Sequence, residues 1–270
     1  MALDNPAFSR NSAFSQQGAV AAAQDVSAQQ LQEMYNQPST PPAGETMTVE
    51  STLGKSVAGF GLLLVGAALG WLTVESVPFL WIGAGIVGFV LALVNTFKRE
   101  PSAGLILAYA GVQGVFVGGI SAWYEMVYGG GIVAQAVIAT LVVFGVTLAL
   151  FASGKIRASK KATKVFLIAM VGYLVFSLIN WGLMVFGVND DPWGMRSANF
   201  LGTGIPFGVI LGILVVIMAA YSLVLDFDFI QQGVRNRAPK KYEWTGVFGI
   251  MVTVIWLYLE ILRMIAITRD

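Results

Sequence analysis

The chain has 270 residues, of which 56% are hydrophobic and only 11% are charged, and its formal net charge is +1. Soluble domains carry roughly 25% charged residues, so this composition excludes a water-soluble globular protein. The sequence contains no Cys and no His, which excludes disulfides, thiolate nucleophiles, Cys/His zinc sites and catalytic triads that use imidazole as the base.

The first part of the chain differs in composition from the rest. Residues 1–52 are rich in Gln, Ser, Ala and Pro and contain no long apolar run. Such a segment has too little apolar surface to offset its ordering entropy. We therefore expect a disordered cytoplasmic tail over residues 1–52 and a transmembrane domain over residues 53–270.

Seven long apolar segments follow, each close to or beyond the roughly 20 residues that cross a bilayer core. They are residues 56–74, 76–97, 101–124, 126–154, 165–189, 197–225 and 244–267. Because the connections are short, neighbouring helices must be antiparallel. The sequence predicts an all-α polytopic membrane protein, a bundle of seven transmembrane helices, with the lipid bilayer as its surroundings.

The positive charges indicate the orientation of this bundle. Most Lys and Arg residues lie in the tail and after the second, fourth and sixth segments, whereas the opposite loops carry Arg196 beside several acidic residues. Short cytoplasmic loops retain positive charge during insertion. We expect a multi-pass protein of the bacterial cytoplasmic membrane, with the N-terminus in the cytoplasm and the C-terminus outside.

Glycines recur at a spacing of four in two of the predicted helices. Gly114 and Gly118 lie in the third segment, and Gly204, Gly208 and Gly212 lie in the sixth. Small residues at this spacing let membrane helices approach closely. Close helix contact is the first interpretation, and a hinge or pore lining is the alternative.

Ionisable residues within the last segment are costly in hydrocarbon. Glu260 and Arg263 are three residues apart, so they lie on one helix face, where they can form an internal ion pair. Neither can face lipid cheaply, and we infer that the seventh helix is central in the bundle. The pair either fixes the rotation of that helix or takes part in its movement.

Two aspartates lie near the end of the sixth segment. If the helix continues to Arg235, Asp226 is about nine residues, or roughly 13 Å, from the basic loop. Asp226 and Asp228 are two residues apart and should point to different faces. Asp228 could instead pair with Arg235 at the surface, and the long side chain of Lys98 could reach one of the aspartates.

The order of these motifs resembles the transmembrane Bax inhibitor motif family, and specifically its bacterial branch of Bax inhibitor and YccA-like proteins. The resemblance covers residues 57–270. It depends on the seven spans, on Asp228 and Gln231 closing the sixth helix, and on the Tyr-Leu-Glu-Ile-Leu-Arg sequence ending at Arg263.

The resemblance implies a calcium-permeable, pH-sensitive leak. In the family, an aspartate on span six and another on span seven share a proton, and a basic residue after span two acts as a latch. Asp228 matches the first aspartate best, with Asp226 as its rival, and Lys98 or Arg99 matches the latch. Thr253 falls at the second aspartate in the alignment we prefer, whereas Glu260 falls there in the other.

These observations predict a calcium leak channel or a regulator of ion homeostasis. Asp226 and Asp228 would lie near the gate and bind calcium, since carboxylate oxygens suit a hard cation. Glu260 and Thr253 would line the pathway, with Lys98, Arg99 and Arg263 as partners of the acids. Calcium is the only bound or permeant cofactor that we expect.

The alternative function is a non-conducting modulator of a membrane protease or of another membrane partner. We expect no enzymatic activity, because Asp226 and Asp228 lie on one helix and do not form the two-helix pair of an intramembrane aspartyl protease. Nucleic acid is not an expected partner, since the membrane topology explains the basic clusters.

Overall fold

The computed structural model describes residues 45–269, and seven helices within them are long and apolar enough to cross a membrane. The helices are α1 (Val49–Thr73), α2 (Leu80–Phe97), α3 (Ala103–Tyr128), α4 (Ile132–Ala152), α5 (Lys160–Val185), α6 (Phe207–Arg235) and α7 (Glu243–Ile267). The prediction of an all-α membrane protein with seven spanning helices is confirmed. The predicted tail up to residue 44 lies outside the described residues.

The helix starts that differ most from the sequence prediction are those of α1 and α6. α1 begins at Val49 rather than at residue 56, because the Thr48 hydroxyl caps the helix by accepting a hydrogen bond from the Ser51 N–H at 3.1 Å. α6 begins at Phe207 rather than at residue 197. Between residues 197 and 207, Gly202 and Gly204 have positive φ angles that interrupt helical backbone. The charge-free run therefore begins ten residues before the helix.

α6 continues without a break to Arg235, as the placement of Asp226 requires. Both Asp226 and Asp228 consequently lie inside a helix and not in a loop. The hydrogen-bonded helix also places Ser222 one turn before Asp226, on the same face.

Glycines bring α1 and α3 into close contact. A Cβ atom at Gly118 would overlap with the backbone of Ala67, and one at Gly114 would overlap with the Leu63 carbonyl oxygen. On α6, Gly208 and Gly212 face Ile267 and Met264 of α7. The interpretation as helix contact is confirmed for these four glycines. It was wrong for Gly204, which precedes α6.

The seven helices differ strongly in burial. The most apolar 18-residue stretch of α7 is 61% buried, compared with 6% in α2 and 0% in α5. α7 contacts α1, α3, α4 and α6, and its buried side chains form much of the hydrophobic core. Three polar residues of α7, namely Glu243, Thr253 and Glu260, are buried among these neighbours.

We call the end of the bundle that carries loops 98–102, 153–159 and 236–242 the basic end. At this end the backbone N–H of Met47 donates to the Ala238 carbonyl oxygen at 2.8 Å. Lys241 forms an ion pair with Glu100 at 2.7 Å. These contacts join the start of α1, the α2–α3 loop and the α6–α7 loop.

α7 is attached to its neighbours at both ends. At the basic end the Glu243 carboxylate accepts hydrogen bonds from the Thr48 N–H at 3.0 Å and from the Ser51 hydroxyl at 2.8 Å. At the opposite end, just after α7, the Arg269 guanidinium donates to the Gly129 carbonyl oxygen and, at 3.0 Å, to Gln135 Oε1.

Candidate functional site

A polar cluster lies in the contact between α6 and α7. The Thr253 hydroxyl donates to Asp226 Oδ2 at 2.7 Å, and Ser222 Oγ lies 3.2 Å from Thr253 Oγ1. Thr253 is buried, with 4% of its surface exposed. We call Asp226, Thr253 and Ser222 the Asp226 cluster. It brings together two of the residues that the sequence singled out, Asp226 and Thr253.

Gly249 makes room for the Asp226 carboxylate. A Cβ atom at Gly249 would lie only 2.6 Å from Asp226 Oδ1, so a larger residue there would push the carboxylate away from α7. Gly249 lies one turn before Thr253 on the same face of α7. Within residues 45–269, no Lys or Arg forms an ion pair with Asp226. The side-chain partner of this acid is therefore the Thr253 hydroxyl, which is itself in contact with Ser222.

Asp228 has a different environment. Its carboxylate accepts a hydrogen bond from Gln232 Nε2 at 2.5 Å at an exposed position. The prediction that Asp226 and Asp228 point to different faces is confirmed. Asp226, and not Asp228, is the aspartate that meets Thr253. Among residues 45–269, Asp228 and Arg235 do not form an ion pair.

The two aspartates do not converge on one point. In the part of the chain that the structure describes, no three acidic side chains lie close enough together to hold a metal ion. Calcium binding by Asp226 and Asp228 stays a prediction. If it occurs at the Asp226 cluster, the other ligands must come from the hydroxyls of Thr253 and Ser222, or from water.

Glu260 and Arg263 form the ion pair that their spacing predicts. Tyr173 of α5 joins them, since its hydroxyl donates to Glu260 Oε2 at 2.9 Å and accepts from Arg263 Nη2 at 2.6 Å. Glu260 is 3% exposed. Glu260 therefore faces α5, whereas Thr253 faces α6, and the structure does not bring these two α7 residues together.

The predicted latch is not formed. Lys98 and Arg99 are exposed, and neither forms an ion pair with Asp226 or Asp228. The neighbouring acid, Glu100, pairs with Lys241 instead. An ion pair therefore joins the α2–α3 loop to the α6–α7 loop, but the α2–α3 loop supplies the acid and not, as predicted, the base.

Two polar contacts of α7 are not indicated by the sequence. Glu243 is fully buried at the start of the helix and pairs with Lys55 at 2.6 Å. Tyr258 lies 2.5 Å from the Ser121 hydroxyl of α3. The only signal in the sequence was an acid in the first turn of a helix, where it is favourable. Nothing in the sequence indicates that α1 supplies its partner.

Comparison with known proteins agrees with this architecture. The family model described as Bax inhibitor 1 like matches residues 5–270, nearly the whole chain. An uncharacterized protein of Chlamydia muridarum (strain MoPn / Nigg) is 29% identical over 125 residues, which cover 46% of this chain and 51% of that protein. The chain thus aligns with about half the length of this curated relative. By the family match, the chain belongs to the Bax inhibitor 1 like family of multi-pass membrane proteins.

Proposed function

We propose that the protein is a pH-sensitive leak for cations, calcium among them, and that Asp226 is its sensor. The observation that carries the proposal is the environment of this acid. Its carboxylate lies between α6 and α7, hydrogen-bonded to Thr253 and without an ion-pair partner in the described part of the chain. Intramembrane acids in such positions commonly mark ion or proton pathways.

The hydroxyl partners suit two states of the acid. An ionised carboxylate accepts hydrogen bonds and attracts a cation, and the oxygens of Thr253 and Ser222 can add to the coordination of that cation. A protonated carboxyl group becomes a hydrogen-bond donor. The hydroxyls can reverse their own donation to accept that bond, so proton uptake changes the contacts between α6 and α7.

The family resemblance implies two aspartates that share a proton, and in the alignment we prefer this chain has Thr253 at the second position. A coupled pair titrates in two macroscopic steps, whereas a single group titrates in one. We therefore expect a one-step dependence of flux on pH. Glu260 is already paired with Arg263, which supports a role in fixing the rotation of α7 rather than a role in the pathway.

The test is calcium flux into proteoliposomes as a function of pH. We expect D226N to lower the flux and to remove its pH dependence. D228N is the matched control, since it removes the same charge two residues away and should leave both properties close to wild type. T253D restores the pair that the family implies and should convert the profile into two steps.

Two results would overturn the proposal. One is a wild-type flux no greater than that of a triple variant with Asp226, Asp228 and Glu260 neutralised. The other is a D226N profile that keeps the wild-type pH dependence. If deletion of residues 1–44 abolished the cellular activity while D226N did not, the second function, modulation of a membrane partner such as a protease, would replace the leak.

We also propose that the basic end faces the cytoplasm of a bacterial cell and that the protein is not an enzyme. The clustered Lys and Arg residues in loops 98–102, 153–159 and 236–242 support this orientation. A reporter enzyme that is active only outside the cytoplasm, fused after residue 270, should be active. Activity of a cytoplasmic reporter at the same position would contradict the orientation.

A further inference from the structure

A second polar cluster lies at the end of the bundle opposite the basic end. The segment between α5 and α6 folds back against the bundle and places the short helix Gly194–Ser197 beside α5. Trp193 of this segment is buried against Tyr124 and Tyr128 of α3. The segment thereby brings Arg196 into the protein interior.

Arg196 is a buried cation whose hydrogen-bonding capacity is mostly unused. It is 8% exposed, its Nη2 donates to Ser177 Oγ at 3.0 Å, and its Nε has no hydrogen-bond partner. The guanidinium carbon lies 5.8 Å from the ring centre of Tyr173 and 5.7 Å from that of Phe176. Aromatic faces attract a cation, but they do not replace a counter-ion.

The acidic groups near Arg196 are engaged by other partners. Tyr173 also contacts Arg263, so the two guanidinium groups share one neighbour. Glu260 is engaged by Arg263, and Asp191 accepts hydrogen bonds from the Trp193 N–H at 2.8 Å and from Ser197. In the part of the chain that the structure describes, the Arg196 guanidinium therefore has no carboxylate in ion-pair contact.

The backbone of Arg196 lies beside the ends of α6 and α7. Gly208, the second residue of α6, is in contact both with Arg196 and with Ile267, the last residue of α7. The backbone of Arg196 is therefore level with the ends of two spanning helices, and its guanidinium reaches inward to Ser177, eight residues before Val185 at the end of α5. An anionic group that approaches from this end of the bundle has to reach roughly 12 Å past the end of α5.

α5 leaves lateral access to this cluster. The side of α5 that faces the bundle is half-buried at Tyr173, Phe176 and Ser177, and α5 contacts the remainder mainly through α6 and the Gly194–Ser197 helix. Arg cannot lose its charge at any accessible pH. A buried guanidinium without an internal carboxylate needs an anion from outside, and its fork of N–H donors fits phosphate oxygens.

We propose that Arg196, with the Ser177 hydroxyl, binds a phosphate group between α5 and the Gly194–Ser197 helix. The phosphate is either the headgroup of an anionic lipid or an inorganic phosphate from solution. The binding site is separate from the Asp226 cluster and does not depend on the proposed leak.

The test measures the melting temperature of the purified full-length chain in an uncharged detergent. Three additions are compared at matched ionic strength: dihexanoyl phosphatidylglycerol, dihexanoyl phosphatidylcholine and sodium phosphate. We expect phosphatidylglycerol to raise the melting temperature of wild type by roughly 5 °C at about a hundred times its dissociation constant. Protection by sodium phosphate as well would identify free phosphate as a sufficient ligand, and protection by the lipid alone would identify the headgroup.

The variants separate anion binding from simple packing. Without added anion, R196Q should be at least as stable as wild type, because it removes an uncompensated buried charge. With phosphatidylglycerol wild type should become the more stable of the two, since only its melting temperature rises. R196K should show part of this rise in melting temperature. R235Q, which removes an exposed arginine at the basic end, should keep all of it.

If R196Q does not fold, S177A provides the same test, because it removes the hydroxyl that accepts the hydrogen bond from the guanidinium and should weaken the lipid effect severalfold. The proposal fails if phosphatidylcholine protects as well as phosphatidylglycerol, or if no anion protects wild type. It also fails if phosphatidylglycerol raises the melting temperature of R196Q, or of S177A in its place, by as much as that of wild type.

Discussion

Asp226 and Arg196 are both charged residues kept largely from water, but their surroundings differ. Asp226 is bonded to a hydroxyl that can accept or donate, so the protein can accommodate the acid with or without a proton. Arg196 has aromatic neighbours, one hydroxyl and no carboxylate, and it cannot lose its charge. The environment of Asp226 suits a group that changes its protonation state, and the environment of Arg196 suits a group that binds an anion.

The Glu260–Arg263 pair is the third case, because the protein itself supplies both charges. R263Q would convert it into an unpaired buried acid. We expect this substitution to cause the largest loss of stability, about 3–5 kcal/mol of the free energy of unfolding. The measurement is an unfolding titration in mixed detergent micelles.

Two controls sharpen this prediction. E260Q should lower the free energy of unfolding less than R263Q does. E260Q leaves Arg263 unpaired, and that side chain is 24% exposed, whereas R263Q leaves Glu260 unpaired, and that side chain is only 4% exposed. The double variant E260Q/R263Q should recover much of the loss, since it leaves no unpaired charge. A double variant as unstable as R263Q would show that the pair acts through packing and not through charge.

A smaller effect is expected at Thr253. T253V keeps the shape of the side chain but removes the hydroxyl that donates to Asp226, which should cost about 1–3 kcal/mol of the free energy of unfolding. T253S keeps the hydroxyl and should lose clearly less. Equal losses in the two variants would mean that the methyl group, and not the hydrogen bond, stabilises the contact between α6 and α7.

The smallest effect is expected at the surface pair of Glu100 and Lys241. The hydrogen bond from Lys241 holds the pKa of Glu100 below its ordinary value of 4.5. Its stabilising contribution is therefore present above pH 4.5 and is lost as the pH falls through the lower folded-state pKa. Exposed pairs contribute little to stability, so E100Q and wild type should have the same melting temperature at neutral pH and at acid pH. A lower melting temperature of E100Q at neutral pH, with no difference at acid pH, would show that this contact stabilises the basic end.

The spans were predictable because a bilayer requires long apolar runs, but their limits were not. The run that begins at residue 197 continues through Leu201 and Ile205, and hydrophobicity does not distinguish helical from non-helical backbone. The positive φ angles at Gly202 and Gly204 interrupt the helical backbone there, so α6 begins only after them. At α1, the cap at Thr48 was visible only with its hydrogen bonds.

The site was predictable in its residues and not in its partners. Spacing placed Asp226 and Asp228 on different faces of α6, but only the packing of α7 decides which face is buried. Glu260 and Arg263 were predictable as a pair because both lie on one helix. The contacts of Tyr173 and Glu243 were not, since their partners come from helices distant in the sequence.

The attachments of α7 limit how it can respond to a proton on Asp226. Glu243 ties one end to the start of α1, and Arg269 ties the other end to the glycine turn after α3. Sliding the helix along the bilayer normal would break both sets of bonds at once. A rearrangement that preserves them turns α7 about its own long axis or displaces α6 sideways, and either movement would carry Thr253 away from the carboxylate.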